Sequence, residues 1–161
     1  MRRGRVVAGL VLSMAVACQS GSNQEVFCEA VCDRVNDCDR AAPDCVASCV
    51  GDSAGLSIYT RETVSDVADC IGEIECSDLF DDNSLAPCWE QASGEVRATT
   101  RAFCASYMKS WFECGYWVDV AECEREFAML TDSFLDLLAS CQSLPCSDFE
   151  TCVDQTWEST T

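Results

Sequence analysis

Apolar residues recur along the chain with the period of an α-helix. These stripes cover residues 26–35, 64–71, 96–111 and 120–138. Spacing of three or four residues between apolar positions is typical of a helix with one buried face, and no segment alternates apolar and polar residues for long. Turns are predicted at Pro43, at Gly55 and at residues 81–83. The pattern therefore predicts an all-α fold.

The cysteines repeat along the chain. Phe27-Cys28 is followed ten residues later by Cys38, and Phe103-Cys104 is followed ten residues later by Cys114. Further matches are Asp44-Cys45 with Glu122-Cys123, Cys70 with Cys141, Cys76 with Cys146, and Cys88 with Cys152. Self-similarity of this kind indicates duplicated structural units. We interpret residues 25–92 and 93–161 as two divergent copies of one helix-hairpin-type unit.

The two copies differ by two cysteines, which suggests a pairing. Cys32 and Cys49 align with Met108 and Phe127. If the six shared cysteines keep their bonds, the other two are bonded to each other. We therefore predict Cys32–Cys49, replaced in the second copy by an apolar contact. Two antiparallel helices joined in this way place Cys38–Cys45 as the neighbouring bond, with Cys114–Cys123 as its copy. The remaining pairings stay open, because six cysteines allow 15 connectivities.

A twin CX3C pattern points to another pairing. Cys28-x3-Cys32 and Cys45-x3-Cys49 resemble the helix-hairpin chaperones of the mitochondrial intermembrane space. That resemblance implies Cys28–Cys49 and Cys32–Cys45, and residues four apart do share a helix face. In the second copy each of these two bonds would lose one partner. We therefore favour Cys32–Cys49.

The first seventeen residues are predicted to form an export signal. Arg2, Arg3 and Arg5 precede an apolar run over residues 6–17, which is too short to span a bilayer. Residues 15–17 fit an ordinary signal-peptidase site, and residues 16–18 resemble a lipobox with Cys18 as the lipid attachment site. Residues 18–24 would then be an anchor and tether.

Cysteine parity favours the lipoprotein alternative. The chain has 15 cysteines, so a lipidated Cys18 leaves an even number for disulfides. Residue 19 is glutamine rather than aspartate, which favours an outer-membrane or cell-surface location. The alternative is a soluble periplasmic or secreted protein in which Cys18 is a free or intermolecular thiol.

Composition excludes several classes of function. A formal charge of −18 argues against binding to nucleic acid. The absence of histidine excludes catalytic triads that need it. The sequence also contains no CxxC pair, which is the spacing typical of thiol-redox enzymes and zinc sites. The acidic turn at residues 78–83 lacks the ligand spacing of a calcium loop. We predict no enzymatic activity, no metal and no cofactor.

Aromatic residues around Cys114 are the one candidate contact. Trp111 and Phe112 continue a helical stripe and are predicted to be core. Tyr116 and Trp117 fall in the following loop, where aromatic side chains anchor partners in many interfaces. The first copy has Arg40 and alanines there.

With its lipobox-like residues 16–18 and repeated F-C-x9-C units, the chain resembles the cysteine-rich lipoproteins of myxobacteria, to which no role is assigned. The resemblance implies an envelope location. We predict an envelope-anchored interaction or structural module, bound to the membrane by its lipid and to an unknown protein partner. The alternative is a carrier of a lipid or small hydrophobic ligand between the helical units.

Overall fold

The protein is all-helical in a computed structural model that describes residues 22–40, 42–81, 83–92 and 94–160. Eight α-helices lie within these residues: α1 Asn23–Asp37, α2 Cys45–Asp52, α3 Arg61–Glu73, α4 Ala86–Gln91, α5 Ala98–Glu113, α6 Val120–Phe127, α7 Asp132–Cys141 and α8 Cys146–Glu158. A short 3-10 helix, Ala54–Ile58, precedes α3. Extended backbone pairs once in this part of the chain, in an isolated bridge between Tyr59 and Leu130. The all-α prediction is confirmed.

The first half, residues 25–92, has a small core. Helix α1 packs against α2 and α3, and α4 packs on α3. Ser22 begins α1 with a capping box, because its hydroxyl accepts from the Glu25 N–H while Glu25 accepts from the Ser22 N–H. Fully buried Val67 and Ile71 of α3 form the centre of this core, with Trp89 packed against it.

The second half, residues 93–161, has a larger and more aromatic core. Helix α5 packs against α6, α7 and α8, and α8 also packs on α7. Ring contacts link Phe103, Tyr107, Trp111, Phe127, Phe134, Phe149 and Trp157. The second half, which has one disulfide fewer, thus buries more apolar side chains.

The predicted stripe over residues 120–138 is two helices rather than one. Helix α6 ends at Phe127, and Thr131 caps α7 by accepting a hydrogen bond from the Phe134 N–H. The Arg97 guanidinium donates to the carbonyls of Ala128 and Leu130 in the intervening turn. An apolar stripe continues through a sharp turn when the turn itself is buried, so the pattern alone did not reveal the break.

A non-covalent junction joins the two halves just before α3 and α7. The Thr60 N–H donates to the Met129 carbonyl, and the Thr131 N–H donates to the Ile58 carbonyl, each at 2.8 Å. These positions correspond in the predicted repeat, since both precede Cys70 and Cys141 by the same number of residues. The contact is therefore reciprocal, like that across a two-fold axis.

Seven disulfides lie within the described part of the chain, and each of them joins residues of one half. They are Cys28–Cys49, Cys32–Cys45, Cys38–Cys76, Cys70–Cys88, Cys104–Cys123, Cys114–Cys146 and Cys141–Cys152. The six cysteines predicted to be structural are all bonded. Cys18 lies outside the described residues, as do the export signal and most of the tether.

All three predicted disulfide pairings are wrong. The structure has neither Cys32–Cys49, nor Cys38–Cys45, nor Cys114–Cys123. In α1, Cys28 and Cys32 share a face, and antiparallel α2 presents Cys49 and Cys45 to them in that order. This is the pairing implied by the twin CX3C resemblance.

The error came from assuming that shared cysteines keep their partners. Two bonds do join aligned positions, since Cys38–Cys76 matches Cys114–Cys146 and Cys70–Cys88 matches Cys141–Cys152. The third bond does not, because Cys104 aligns with Cys28 but is bonded to Cys123, which aligns with Cys45. One bond thus replaces two. The internal repeat itself stays a prediction.

Candidate interaction site at the end of helix α5

Helix α5 ends in a turn that fixes the direction of the following loop. Gly115 has a φ of +91°, a left-handed conformation that side chains disfavour. Its N–H donates to the Phe112 carbonyl at 3.0 Å, and the Tyr116 N–H donates to the Trp111 carbonyl at 3.1 Å. These two bonds define a Schellman motif, which brings the residue after the glycine back over the last helical turn.

This motif accounts for Tyr116. The Tyr116 ring meets the Trp111 ring edge-on with centroids 4.8 Å apart, which is the apolar contact that accompanies such a turn. The Tyr116 hydroxyl donates to Glu150 Oε2 at 3.1 Å, and this bond to the carboxylate raises the pKa of Tyr116. Tyr116 therefore fastens the loop to α5 and α8.

Trp117, the next residue, is not held in this way. It is 93% exposed, and Phe112 at the end of α5 is 69% exposed. The prediction that Phe112 is core is wrong, because it lies on the outer side of the last helical turn, whereas Trp111 packs against the core. Single exposed apolar residues are common, but an almost fully exposed tryptophan is a typical anchor for a partner.

The loop that carries Trp117, residues 115–119, is fixed at both ends. Cys114–Cys146 ties its beginning to α8. At its other end, Asp119 Oδ1 accepts from the N–H groups of Ala121 and Glu122 and so caps α6. Cys104–Cys123 then holds α6 against α5. Anchors at both ends restrict the conformations open to this short loop, which reduces the entropy lost on binding.

A cleft of about 270 Å³ lies beside this loop, between α5 and α6. We call it the aromatic cleft. Its walls are formed by Met108, Trp111, Tyr116, Trp117, Val118, Cys123 and Phe127, with Asp119, Glu122 and Glu126 among them. Tyr116 and Trp117 were predicted from the sequence. The carboxylates of α6 were not, because the Cys104–Cys123 disulfide sets the position of α6 beside the cleft.

The corresponding turn of the first half has the same backbone and different side chains. Asp39 takes the left-handed position with a φ of 57°, and its N–H donates to the Asn36 carbonyl. The Arg40 N–H donates to the Val35 carbonyl, and its guanidinium lies 4.3 Å from the centre of the Phe80 ring. The aromatic cleft is therefore specific to the second half.

A second apolar depression, the junction groove, lies where the halves meet. Its volume is about 400 Å³, and its apolar walls are formed by Phe27, Leu56, Ile58, Tyr59, Trp89 and Trp157. The Tyr59 and Trp89 rings are 4.8 Å apart, and burial raises the pKa of Tyr59. A neighbouring depression shares Tyr59 and Trp157. Sequence analysis did not find this groove, because its residues come from both halves.

No helix in the described part of the chain is long and apolar enough to cross a membrane. No three acidic or cysteine side chains in this part of the chain are placed to hold a metal ion.

Comparisons with known protein families, with curated proteins and with solved structures found no match.

Proposed function

We propose that the protein is an exported interaction module, anchored to the cell envelope through Cys18, that binds a protein partner with the Trp117 loop. The observation that carries this proposal is the 93% exposure of Trp117 on a loop fixed at both ends. Tryptophan contributes strongly at the centres of interfaces, and an ordered loop loses little entropy when it docks.

The covalent framework supports the export part of the proposal. Seven disulfides are consistent with a protein that folds in an oxidising compartment. Helix α1 begins at Asn23, only a few residues after Cys18. A lipid on Cys18 would thus hold the first half near the membrane, on a tether of at most about 3.5 Å per residue.

The anchor is tested by the intact mass of the natively exported protein after alkylation without reduction. The expected mass begins at Cys18, carries acyl chains and shows no alkylated thiol. An unlipidated chain with one alkylated cysteine would contradict the anchor and indicate a soluble protein with a free Cys18.

The binding surface is tested by placing a photo-crosslinking amino acid at position 117 of the exported protein. Leu137, which is 54% exposed on α7, provides the matched control position. The expected result is a discrete cross-linked partner from position 117 that is absent from position 137. Equal patterns from both positions would overturn the proposed surface.

Trp117→Ala supplies the complementary variant. Because Trp117 is exposed, its replacement should leave the disulfides and the unfolding transition unchanged. It should abolish capture of the cross-linked partner, which is measured in this variant with the photo-crosslinking amino acid at position 112. A double variant that includes Tyr116 is less informative, since Tyr116 also bonds Glu150 and packs on Trp111.

A second function, carriage of a lipid or small hydrophobic ligand, is favoured by the junction groove. Its tryptophans, Trp89 and Trp157, would report an apolar ligand by fluorescence. The expected result for a carrier is co-purified lipid in the organic extract of a Cys18→Ser protein, reduced by Trp157→Ala. An extract without lipid, and no fluorescence change with added fatty acid, would contradict carriage.

A further inference from the structure

The aromatic cleft combines two kinds of side chain that both attract cations. Trp111, Tyr116 and Trp117 supply aromatic rings, and Asp119, Glu122 and Glu126 supply carboxylates. No lysine or arginine is among the described residues that line it. Ring faces and carboxylates each attract a positive charge, so both would stabilise the same bound cation.

Among the described residues, one ion pair offsets the carboxylates of the cleft. Glu122 lies 3.7 Å from Arg125, and both side chains are largely exposed. Asp119 is held in place by the α6 cap, and its bonds to backbone N–H groups leave its formal charge in place. In the described part of the chain, the cleft thus has three carboxylates, and one arginine is paired with one of them.

We propose that the aromatic cleft binds a lysine or arginine side chain presented by the protein partner. This inference rests on the proposed function. The apolar stem of such a side chain suits the wall formed by Met108 and Phe127. Its charged end would then meet the Trp117 ring and the carboxylates of α6. An anionic side chain would be repelled, and a purely apolar one would leave the carboxylates without a partner.

A second cleft of the molecule serves as a control for the effect of carboxylates alone. A larger cleft in the first half, about 510 Å³, is lined by Glu73, Glu75, Asp78 and Asp81, and none of the described residues that line it is aromatic. We call it the acidic cleft. If negative charge alone recruited cationic side chains, this cleft would bind them at least as well as the aromatic cleft.

The test is a titration of the exported protein, with its disulfides intact, followed by the NMR signals of its amides and tryptophan indoles. The probes are acetylated tripeptide amides, Gly-X-Gly, with lysine or arginine at X. Norleucine and citrulline at X are their neutral counterparts. We expect the Trp117 indole signal to shift with lysine or arginine, and the neutral peptides to bind about tenfold more weakly.

Three variants locate the binding site. Trp117→Leu keeps an apolar side chain but removes the ring, and we expect it to weaken binding about fivefold. Glu126→Gln should weaken binding about twofold to fivefold, as expected for an exposed ion pair. Glu73→Gln makes the same change of charge in the acidic cleft and should leave binding unchanged. Equal binding of lysine and norleucine peptides, or an equal effect of Glu73→Gln and Glu126→Gln, would overturn the inference.

The two proposals fail separately. If position 117 cross-links a partner but no basic peptide binds, the interaction surface stands and its cation specificity is wrong. If basic peptides bind but position 117 cross-links nothing beyond the Leu137 control, the proposed function is wrong. If both hold, the lysine or arginine peptide that binds more tightly identifies the partner's side chain, and an excess of it should compete with the cross-link.

Discussion

At the scale of single residues, Gly94 shows how closely the connection between the halves is packed. A Cβ atom at this position would lie 2.3 Å from the Ala128 carbonyl oxygen and 2.4 Å from its carbon. Backbone atoms cannot move aside as a flexible side chain can. We expect Gly94→Ala to lower the free energy of unfolding by about 1 to 3 kcal/mol, measured by urea denaturation with the disulfides intact.

Gly72 is the matched control for that substitution. It lies within α3, where an added Cβ would meet nothing within 4 Å. Gly72→Ala should therefore stabilise the protein by about 0.5 to 1 kcal/mol, because alanine favours the helix. Unchanged stability in Gly94→Ala, or a similar loss in Gly72→Ala, would contradict the predicted effect of the close approach at Gly94.

The tyrosines predict loss of stability in alkali. Burial raises the pKa of Tyr107, whose side chain is 4% exposed in the second core. Below the ordinary tyrosine pKa of 10.0 both folded and unfolded chains keep the proton, so this group adds no pH dependence. Above it the unfolded chain ionises first. The free energy of unfolding should then fall by at most about 1.4 kcal/mol per pH unit for this group.

Urea unfolding between pH 8 and pH 11, a range chosen to bracket the ordinary pKa of 10.0, measures this effect. Tyr107→Phe should reduce the alkaline slope. Tyr116→Phe should change it less, since its ring is 45% exposed and water stabilises its phenolate. An unchanged slope in Tyr107→Phe would contradict the assignment.

At the scale of helices, two disulfides are more accessible than the other five. Cys38–Cys76 and Cys114–Cys146 each join a partly buried cysteine to an exposed one, whereas each of the other bonds has at least one buried cysteine. Exchange with a thiol requires access to a sulfur atom. We expect limited reduction to open these two bonds first, detected by alkylation and peptide mapping.

The consequences of that reduction should differ between the halves. Opening Cys114–Cys146 leaves the exposed Tyr116–Glu150 hydrogen bond to hold the start of the Trp117 loop on α8, so Trp117-dependent binding should weaken before the helices unfold. Early reduction of Cys28–Cys49 or Cys104–Cys123 instead would contradict the burial of their sulfurs.

The helices could be predicted from the sequence better than the disulfides that join them. Period and cysteine position located α1, α3 and α5, because one face of each is buried. The bond partners were not predictable from the repeat, since the second half replaces two bonds between its first helices with one. There Met108 and Phe127, which align with Cys32 and Cys49, pack against an aromatic core. A pairing rule based on alignment fails where packing takes over the role of a bond.

At the scale of the whole molecule, the two halves pack together although no disulfide joins them within the described residues. The reciprocal backbone bonds join residues about seventy positions apart, and the junction groove brings Trp157 beside first-half residues such as Phe27 and Trp89. No short-range periodicity reports such contacts. The loop residues of the candidate site were also predicted from the sequence, but the α6 carboxylates beside them were not, because the Cys104–Cys123 disulfide sets the position of α6.

The side chain of Ile58 links the two halves, because it belongs to the first half and packs in the core of the second. It precedes α3 in the first half, but its side chain, 5% exposed, belongs to the core formed by α5, α7 and α8. Ile58→Ala removes buried methyl groups there and should cost about 2 to 4 kcal/mol. Hydrogen exchange should accelerate in α5 and α7 of the second half.

Ile71→Ala is the control, since Ile71 is fully buried in the core of the first half. It removes the same atoms and should accelerate exchange in α1 and α3 while leaving α7 protected. If Ile58→Ala instead accelerates exchange only around α1 and α3, the halves are energetically independent and Ile58 does not link them. Acceleration in α5 and α7 would show that the second core, on which the Trp117 loop is built, depends on a residue of the first half.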